Sequence, residues 1–239
     1  MKTPIDTILF DFDYTLADSS CGVGKCINLA LEALDFPAVD PSTACNTIGL
    51  SLKDTFVSLV GTHHDIYADA FVQLFVSYAD EIMVEHTMLL PSVPQTLQRL
   101  HKHAYQMGIV SNNRRYRIEA VLQKERISHR FRTIVGEEDV SHHKPEPQGL
   151  LTAIKRLNGI PARSIYVGDS TVDAETARRA NVPFVAVLSG ITSREAFERY
   201  DSYAIIDNLY DLPDLLLLSI AHTPSFGTIA LPSLRPAVI

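Results

Sequence analysis

Apolar segments of strand length alternate with helical patterns along the second half of the chain. The strand-like segments are 105–110, 131–135, 164–168, 183–188 and 203–206. A helical pattern follows each of them before the next strand-like segment begins. Strands and helices that alternate at this spacing indicate parallel β-α-β units. The sequence therefore predicts an α/β fold with a doubly wound parallel sheet.

One further strand is predicted near the N-terminus. Residues 5–10 (IDTILF) are apolar and precede acidic residues, as expected of a buried strand that ends in a functional loop. From 17 to about 86 the patterns are helical and no convincing strand is found. This order predicts a helical unit inserted after the first strand. We therefore expect a core formed by 1–16 and 87–221, a helical cap at 17–86 and an irregular tail at 222–239.

Composition narrows the class of protein. The 239 residues are 46% hydrophobic and 21% charged, which is typical of a globular protein. The net charge is −7 and no Lys/Arg-rich run occurs, so we expect no nucleic-acid partner. No apolar run approaches the roughly 18 residues of a membrane span, and no signal peptide is recognised. Three cysteines are too few for a disulfide framework, so we expect a cytoplasmic protein.

Polar residues gather after four of the predicted strands. They are Asp11 and Asp13 in the first segment, Ser111 and Asn112 in the second, Lys144 in the third, and Asp169 and Asp173 in the fourth. Ligands of doubly wound sheets bind beyond the carboxyl ends of the strands. We therefore expect these four segments to meet at one edge of the sheet.

Carboxylates that converge in this way repel one another unless a cation binds between them. Hard oxygen ligands favour Mg²⁺, whose shell is usually completed by water and a substrate phosphate. A carboxylate of ordinary pKa, near 4, is ionised at neutral pH and needs no base to act as a nucleophile. Lys144 can offset its repulsion from a phosphate, and Ser111 or Asn112 can donate a hydrogen bond to a phosphoryl oxygen. Each segment alone has a structural explanation, such as helix capping by Asp169 or Ser170, but the four together favour phosphoryl transfer.

The segments FDFDYTLADSS and VGDSTVDAETARRA resemble the first and fourth motifs of the haloacid-dehalogenase (HAD) superfamily of hydrolases. Ser111 and Lys144 resemble its second and third motifs, and the similarity is to the phosphoglycolate-phosphatase-like branch over roughly residues 5–217. The resemblance implies a Rossmann-like core with an inserted α-helical cap. It also implies that Asp11 attacks phosphorus to form an aspartyl phosphate, and that Asp13 acts as general acid and then as general base.

The same resemblance implies a magnesium site. Asp11, the backbone carbonyl of Asp13 and Asp169 would hold Mg²⁺, and Asp173 would support this metal shell or bind the ion directly. Dehalogenases of the superfamily lack the second aspartate and need no metal, so Asp13 favours a phosphatase over a dehalogenase.

Substrate binding is implied for four residues in two parts of the chain. Ser111, Asn112 and Lys144 are predicted to bind the phosphoryl group. Lys53 lies in a segment that resembles the cap loop facing the active site, where it could meet an anionic leaving group. Tyr14 departs from the family pattern, which usually has glycine there. It is expected either to pack against the cap hinge or to narrow the substrate entrance.

These observations predict a Mg²⁺-dependent phosphatase for a small phosphorylated metabolite, with phosphoglycolate as one candidate substrate. Nucleic acid and membrane are not expected as partners, and the protein is expected to be a monomer or a homodimer. A sugar-phosphate mutase such as β-phosphoglucomutase and a pyrophosphatase remain alternatives with the same chemistry. A regulator that binds a phosphorylated ligand without turnover is the non-enzyme alternative.

Overall fold

The computed structural model of the protein describes residues 5–48 and 50–221. In chain order, its strands are β1 (Thr7–Phe10), β2 (Ala17–Asp18), β3 (Met88–Leu89), β4 (Gln106–Val110), β5 (Thr133–Val135), β6 (Ser164–Gly168), β7 (Phe184–Val187) and β8 (Ala204–Ile206). The α-helices are α1 (Ser20–Glu32), α2 (Pro41–Cys45), α3 (Leu52–Val60), α4 (Ala68–Ile82), α5 (Val93–Lys102), α6 (Arg115–Lys124), α7 (Gln148–Arg156), α8 (Thr171–Ala180), α9 (Arg194–Phe197) and α10 (Leu212–Ala221). The tail predicted at 222–239 lies outside the described residues.

Six strands form one parallel sheet in the order β5-β4-β1-β6-β7-β8. Successive residues of β1 face opposite sides of the sheet: Ile8 and Phe10 join one apolar cluster and Leu9 the other. All three are fully buried, so both faces of the sheet are covered, as expected for parallel strands. The doubly wound parallel sheet predicted from the alternating pattern is therefore confirmed.

The register of the central strands places their carboxyl ends at one level. Phe10 lies opposite Ile109 in β4 and opposite Val167 in β6. The residues that follow these three strands consequently emerge at the same edge of the sheet. This edge, rather than any single loop, positions the polar groups described below.

The helices α1 to α4 are called here the helical segment, and they lie between β2 and β3 in the chain. Their inward side chains form an apolar cluster that is separate from the two clusters on the sheet and includes Ile27, Phe56 and Phe71. The expectation of no strand between 17 and 86 was wrong at one point, because Ala17–Asp18 pairs antiparallel with Met88–Leu89. Two residues are too few to show the alternation by which a strand is recognised in a sequence.

Side chains of α6 bind the helical segment at α4 and just beyond it. Arg117 donates hydrogen bonds to Asp80 Oδ1 at 2.7 and 2.9 Å and to the Val76 carbonyl at 3.0 Å. Lys124 Nζ donates to the carbonyls of Val84 at 2.7 Å and Thr87 at 3.0 Å, just after α4 ends. Within residues 5–48 and 50–221, no helix has both the length and the apolar character needed to cross a membrane.

Candidate active site

Three aspartates meet at the carboxyl edge of the sheet. Asp11 directly follows β1, Asp169 directly follows β6, and Asp173 lies in the first turn of α8. All three are buried, and one carboxylate oxygen from each lies within 4.8 Å of the other two. The structure thus brings together residues that are 162 positions apart in the sequence, from 11 to 173.

Lys144 reaches this cluster from the loop between β5 and α7. Its Nζ atom lies 2.6 Å from Asp11 Oδ1 and 2.7 Å from Asp173 Oδ1, and the lysine side chain is only 8% exposed. The backbone of Lys144 is held as well: its N–H donates to Asn112 Oδ1 at 2.9 Å, and its carbonyl accepts from Asn112 Nδ2 at 3.3 Å. The loop after β4 therefore supports the loop that carries the lysine.

Asp13 is half-buried, and two donors hold its carboxylate. Ser19 Oγ donates to Oδ1 at 2.6 Å, and Asn113 Nδ2 donates to Oδ2 at 3.1 Å. Ser19 comes from the turn that leads into α1, whereas Asn113 comes from the loop after β4. Asp13 is consequently fixed from both sides of the site.

Asp169 is fixed by a neighbouring hydroxyl and by close packing. Thr15 Oγ1 donates to Asp169 Oδ1 at 3.1 Å. A Cβ atom at Gly190 would lie only 2.0 Å from Asp169 Oδ2, so no larger residue fits at that position without displacing the carboxylate.

Asp173 has both a capping role and a place in the site. Ser170 is the N-cap of α8: its Oγ accepts from the Asp173 N–H at 3.2 Å, and its own N–H donates to Asp173 Oδ2 at 3.1 Å. This is a capping box. The other oxygen, Oδ1, faces Lys144. Ser170 thus caps the helix as this motif predicted, and Asp173 contacts Lys144 in addition.

Burial dominates the electrostatics of the site. It raises the pKa of Asp11 to about 7, against the opposing effect of Lys144, and raises the pKa of Asp169 to about 8, assisted by Asp11. Burial also raises the pKa of Asp13, although Ser19 and Asn113 oppose it. Burial lowers the pKa of Lys144, but Asp11 and Asp173 outweigh this and hold the pKa well above its usual range. The lysine is therefore a fixed positive charge near Asp11, Asp13 and Asp169, whose pKa values are all raised.

The buried carboxylates suit a hard divalent cation. Asp11, Asp169 and Asp173 offer only oxygen atoms, which is the donor set that Mg²⁺ prefers. The single ammonium of Lys144 does not balance the charges of Asp11, Asp13, Asp169 and Asp173 when all four are ionised. The residues present therefore fit the cation implied by the motifs.

The remaining predicted site residues occupy different positions. Ser111 is buried and directly follows β4, and its Oγ accepts from the N–H of Asn113 at 3.1 Å. Asn112 holds the backbone of Lys144, as described above. Lys53 lies on the exposed surface of the helical segment, where its Nζ pairs with Asp69 at 2.7 Å. Tyr14 contacts the helical segment through a hydrogen bond with the Cys45 thiol. Burial, together with this hydrogen bond, raises the pKa of Tyr14.

Four further residues touch the site and were not predicted from the sequence: Thr15, Ser19, Asn113 and Tyr166. Three of them are polar residues within or beside the quoted motifs. Their polarity and their position next to the motifs could have identified them as candidate site residues. Tyr166 lies in the middle of a buried apolar strand, where a tyrosine hydroxyl requires a partner. That requirement was the available signal for a polar group beneath the site.

Comparison with known proteins agrees with this geometry. Residues 8–187 match the family model described as haloacid dehalogenase-like hydrolase. The phosphoglycolate phosphatase of Salmonella typhimurium is 30% identical over 90% of this chain and 93% of its own length. A crystal structure from Bacteroides fragilis, described as a haloacid dehalogenase-like hydrolase, is 40% identical and superposes with a TM-score of 0.82 over 87% of this chain and 99% of that one.

A more distant structure supports the fold alone. It comes from Haemophilus somnus and is described as a phosphoglycolate phosphatase. It is 23% identical, with a TM-score of 0.79 over 92% of this chain and all of its own. The resemblance inferred from the four motifs is confirmed by these matches. The chain belongs to the haloacid dehalogenase-like family of hydrolases.

Proposed function

We propose that this protein is a magnesium-dependent phosphatase that hydrolyses a small phosphorylated metabolite through an aspartyl phosphate on Asp11. The observation that carries the proposal is the pairing of Asp11 and Asp13 at the end of β1 with the buried ammonium of Lys144, 2.6 Å from Asp11 Oδ1. A metal-free dehalogenase would not need the second aspartate. Phosphoglycolate is the first substrate to test, since the Salmonella relative is named for it.

In this proposal Asp11, Asp169 and the backbone carbonyl of Asp13 hold Mg²⁺, with Asp173 beside them. The ion would neutralise charge on the carboxylates and on the phosphate, which favours ionised Asp11 despite its raised pKa. Lys144 and Ser111 bind the phosphoryl oxygens. Asn112 contributes indirectly by fixing the backbone of Lys144.

The chain's own residues then divide the chemistry into two steps. A carboxylate oxygen of Asp11 attacks phosphorus, the bond from phosphorus to the ester oxygen breaks, and Asp13 gives its proton to the leaving alcohol. Burial raises the pKa of Asp13, which favours the protonated acid required here. In the second step Asp13 takes a proton from water as the water attacks phosphorus, and inorganic phosphate leaves Asp11.

The helical segment is proposed to act as a cap that excludes water and selects the leaving group. Its contacts with α6 and with the side chain of Tyr14, which lies three residues after Asp11, support this proposal. Lys53 of this segment is proposed to bind the substrate, in exchange for its exposed ion pair with Asp69. Replacing Lys53 by alanine should then raise KM for esters whose leaving group already carries a negative charge, such as phosphoglycolate. KM for p-nitrophenyl phosphate should be unchanged.

The proposal is tested with a panel of phosphorylated metabolites assayed with Mg²⁺ and again with a chelator. We expect hydrolysis that requires Mg²⁺, and its loss in Asp11→Asn while the circular dichroism spectrum is unchanged. Asp201→Asn, an exposed loop carboxylate, is the matched control and should retain activity. Activity in Asp11→Asn would exclude Asp11 as nucleophile. Return of labelled phosphate to glucose phosphate rather than to water would indicate a mutase.

A further inference from the structure

The hydroxyl group of Tyr166 lies directly beneath the candidate site. Tyr166 is in the middle of β6, is fully buried, and packs its ring near Phe184 with 6.3 Å between ring centroids. Ile165 and Val167, its neighbours in the strand, face the opposite side of the sheet. The sheet therefore directs this one side chain toward the loop that carries Lys144.

We infer that Tyr166 is a positioning residue that holds the ammonium of Lys144 in the position required for phosphoryl transfer. This inference rests on the proposed function, in which Lys144 binds the phosphoryl group. Tyr166 itself is not expected to touch the substrate, because its side chain lies wholly in the protein interior.

The geometry of Lys144 supports this role. A lysine ammonium has three protons and no acceptor atom. Three acceptors surround Nζ: Asp11 Oδ1 at 2.6 Å, Asp173 Oδ1 at 2.7 Å and the Tyr166 hydroxyl at 3.2 Å. Each proton therefore has its own acceptor, and one of the three acceptors is the hydroxyl of Tyr166.

Tyr166 also connects the lysine to the framework of the sheet. Its hydroxyl oxygen lies 2.9 Å from the Val110 carbonyl and 3.0 Å from Asp173 Oδ1. A phenol donates only one proton, so it donates to one of these oxygens while it accepts from Lys144. Val110 is the last residue of β4, and its position is fixed by the sheet. The phenol thus ties the end of a flexible side chain to the backbone of a central strand.

The same hydrogen bonds would keep the ammonium of Lys144 in position when a substrate phosphate binds. A phosphoryl oxygen can replace Asp11 as the acceptor of one ammonium proton, which frees Asp11 to attack. Asp173 and Tyr166 then hold the other two protons, so the ammonium keeps its place. Without the hydroxyl, Asp173 alone would anchor a side chain with four rotatable bonds. Small displacements of a catalytic group are costly, because an error of about 1 Å can lower a rate about 100-fold.

The first test compares two tyrosine-to-phenylalanine variants. Tyr166→Phe keeps the ring and its packing, and removes only the hydroxyl. Tyr105→Phe is the matched control, since Tyr105 is also buried but its hydroxyl has no hydrogen-bond partner among the described residues. We expect kcat of Tyr166→Phe to fall by about 10- to 100-fold, together with a smaller loss of affinity for the phosphoryl group. Tyr105→Phe should retain the wild-type kcat.

The second test asks whether Tyr166 acts through Lys144. Binding of inorganic phosphate in the presence of Mg²⁺ is measured by calorimetry for wild type, Tyr166→Phe, Lys144→Met and the double variant. The loss of affinity caused by Tyr166→Phe should disappear in the Lys144→Met background, because the hydroxyl then has no ammonium to hold. Circular dichroism confirms that each variant is folded.

Two outcomes would overturn the inference. One is a kcat of Tyr166→Phe within about twofold of the Tyr105→Phe control, and the other is an equal loss of phosphate affinity with and without Lys144. In both cases the proposed function survives if the wild type hydrolyses phosphate esters and Lys144→Met is impaired. If the wild type hydrolyses no ester of the panel, the proposed function fails, and this inference fails with it.

Discussion

Two hydrogen-bond donors, Ser19 and Asn113, hold the side chain of Asp13, and Asn113 binds the oxygen that Ser19 does not. Asn113 Nδ2 reaches Asp13 Oδ2 at 3.1 Å from the loop after β4, across the mouth of the site. A general acid must point at the leaving oxygen to be effective. Asn113 is thus expected to matter most for substrates whose leaving group needs a proton.

This expectation is tested with Asn113→Ala and two substrates. Nitrophenolate leaves readily without a proton, whereas an alkoxide does not. We expect kcat/KM to fall about tenfold or more for an alkyl phosphate and about threefold or less for p-nitrophenyl phosphate, within the range of general acid catalysis. The p-nitrophenyl ester serves as the internal control. An equal loss for both esters would show that Asn113 does not act through Asp13.

Tyr14 adopts a backbone conformation that favours glycine. Its φ angle is 58°, its N–H donates to the Ala17 carbonyl at 2.6 Å, and its carbonyl accepts from Ser189 Oγ. The turn is therefore fixed by its hydrogen bonds, and a side chain at this position pays a steric cost of about 1–2 kcal/mol. The contact of the Tyr14 side chain with Cys45 in the helical segment offsets part of this steric cost.

The cost is measured by comparing Tyr14→Gly with Tyr14→Ala. Both variants lose the ring, but only alanine keeps a Cβ in the left-handed conformation. We expect Tyr14→Gly to be more stable by about 1 kcal/mol in urea unfolding, even though glycine gives the unfolded chain more freedom. Equal stability, or a more stable alanine variant, would mean that the turn relaxes to another conformation.

At the scale of elements, α6 is joined to the helical segment by a charged contact that is partly buried. The Arg117 side chain is 9% exposed and that of Asp80 44% exposed, and Arg117 reaches both the carboxylate and the backbone of α4. Replacement of the carboxylate by an amide keeps a hydrogen-bond acceptor but leaves the guanidinium, which is 9% exposed, without a neutralising charge. Such a loss is costly compared with the loss of an exposed pair.

Asp80→Asn should therefore lower the free energy of unfolding by about 1–3 kcal/mol. Asp69→Asn is the matched control, because it removes a carboxylate from the same helix, α4, but from an exposed pair with Lys53. The control should change the free energy of unfolding by about 0.5 kcal/mol or less. If both variants were equally stable, Arg117 would not link α6 to the helical segment.

The sequence predicted the elements of this fold better than it predicted their mutual contacts. Residues 164–168 were predicted as a strand and form β6 with the same bounds, because the apolar run is sharply bounded. The short β2 was missed, because two residues carry no periodicity. In the site, Asp11 and Asp169 could be placed from the strand ends. The contacts of Asn113 and Tyr166 could not be predicted from the sequence, because they depend on side-chain directions that only tertiary packing decides.

For the molecule as a whole, the candidate site places like charges together in a protein whose net charge is already −7. Burial and the neighbouring Asp11 carboxylate raise the pKa of Asp169 to about 8. A carboxyl group whose pKa is raised in the folded state lowers the free energy of unfolding once the pH exceeds its pKa in the unfolded chain. The fold therefore carries an electrostatic cost at this edge that a bound cation would offset.

Asp169→Asn tests this balance, since asparagine has the same shape without the charge. Without Mg²⁺, the variant should be more stable than wild type by an amount that grows from about pH 4, where Asp169 ionises in the unfolded chain, up to about pH 8, its pKa in the folded state, and that stays constant above this. Each kcal/mol should raise Tm by about 2–4 °C in a chain of this size.

Mg²⁺ should reverse the order of stability. A ligand at 100 times its Kd stabilises the folded state by about 2.7 kcal/mol, and this gain should be seen in wild type and in the Asp201→Asn control but be much smaller in Asp169→Asn. The readout is Tm measured with Mg²⁺ and with a chelator. A metal-free variant less stable than wild type, or one with an undiminished response to Mg²⁺, would contradict the role of Asp169 as a ligand. The expected crossing of the two stabilities follows from one cause, since the charge that destabilises the metal-free fold is the charge that binds the cation.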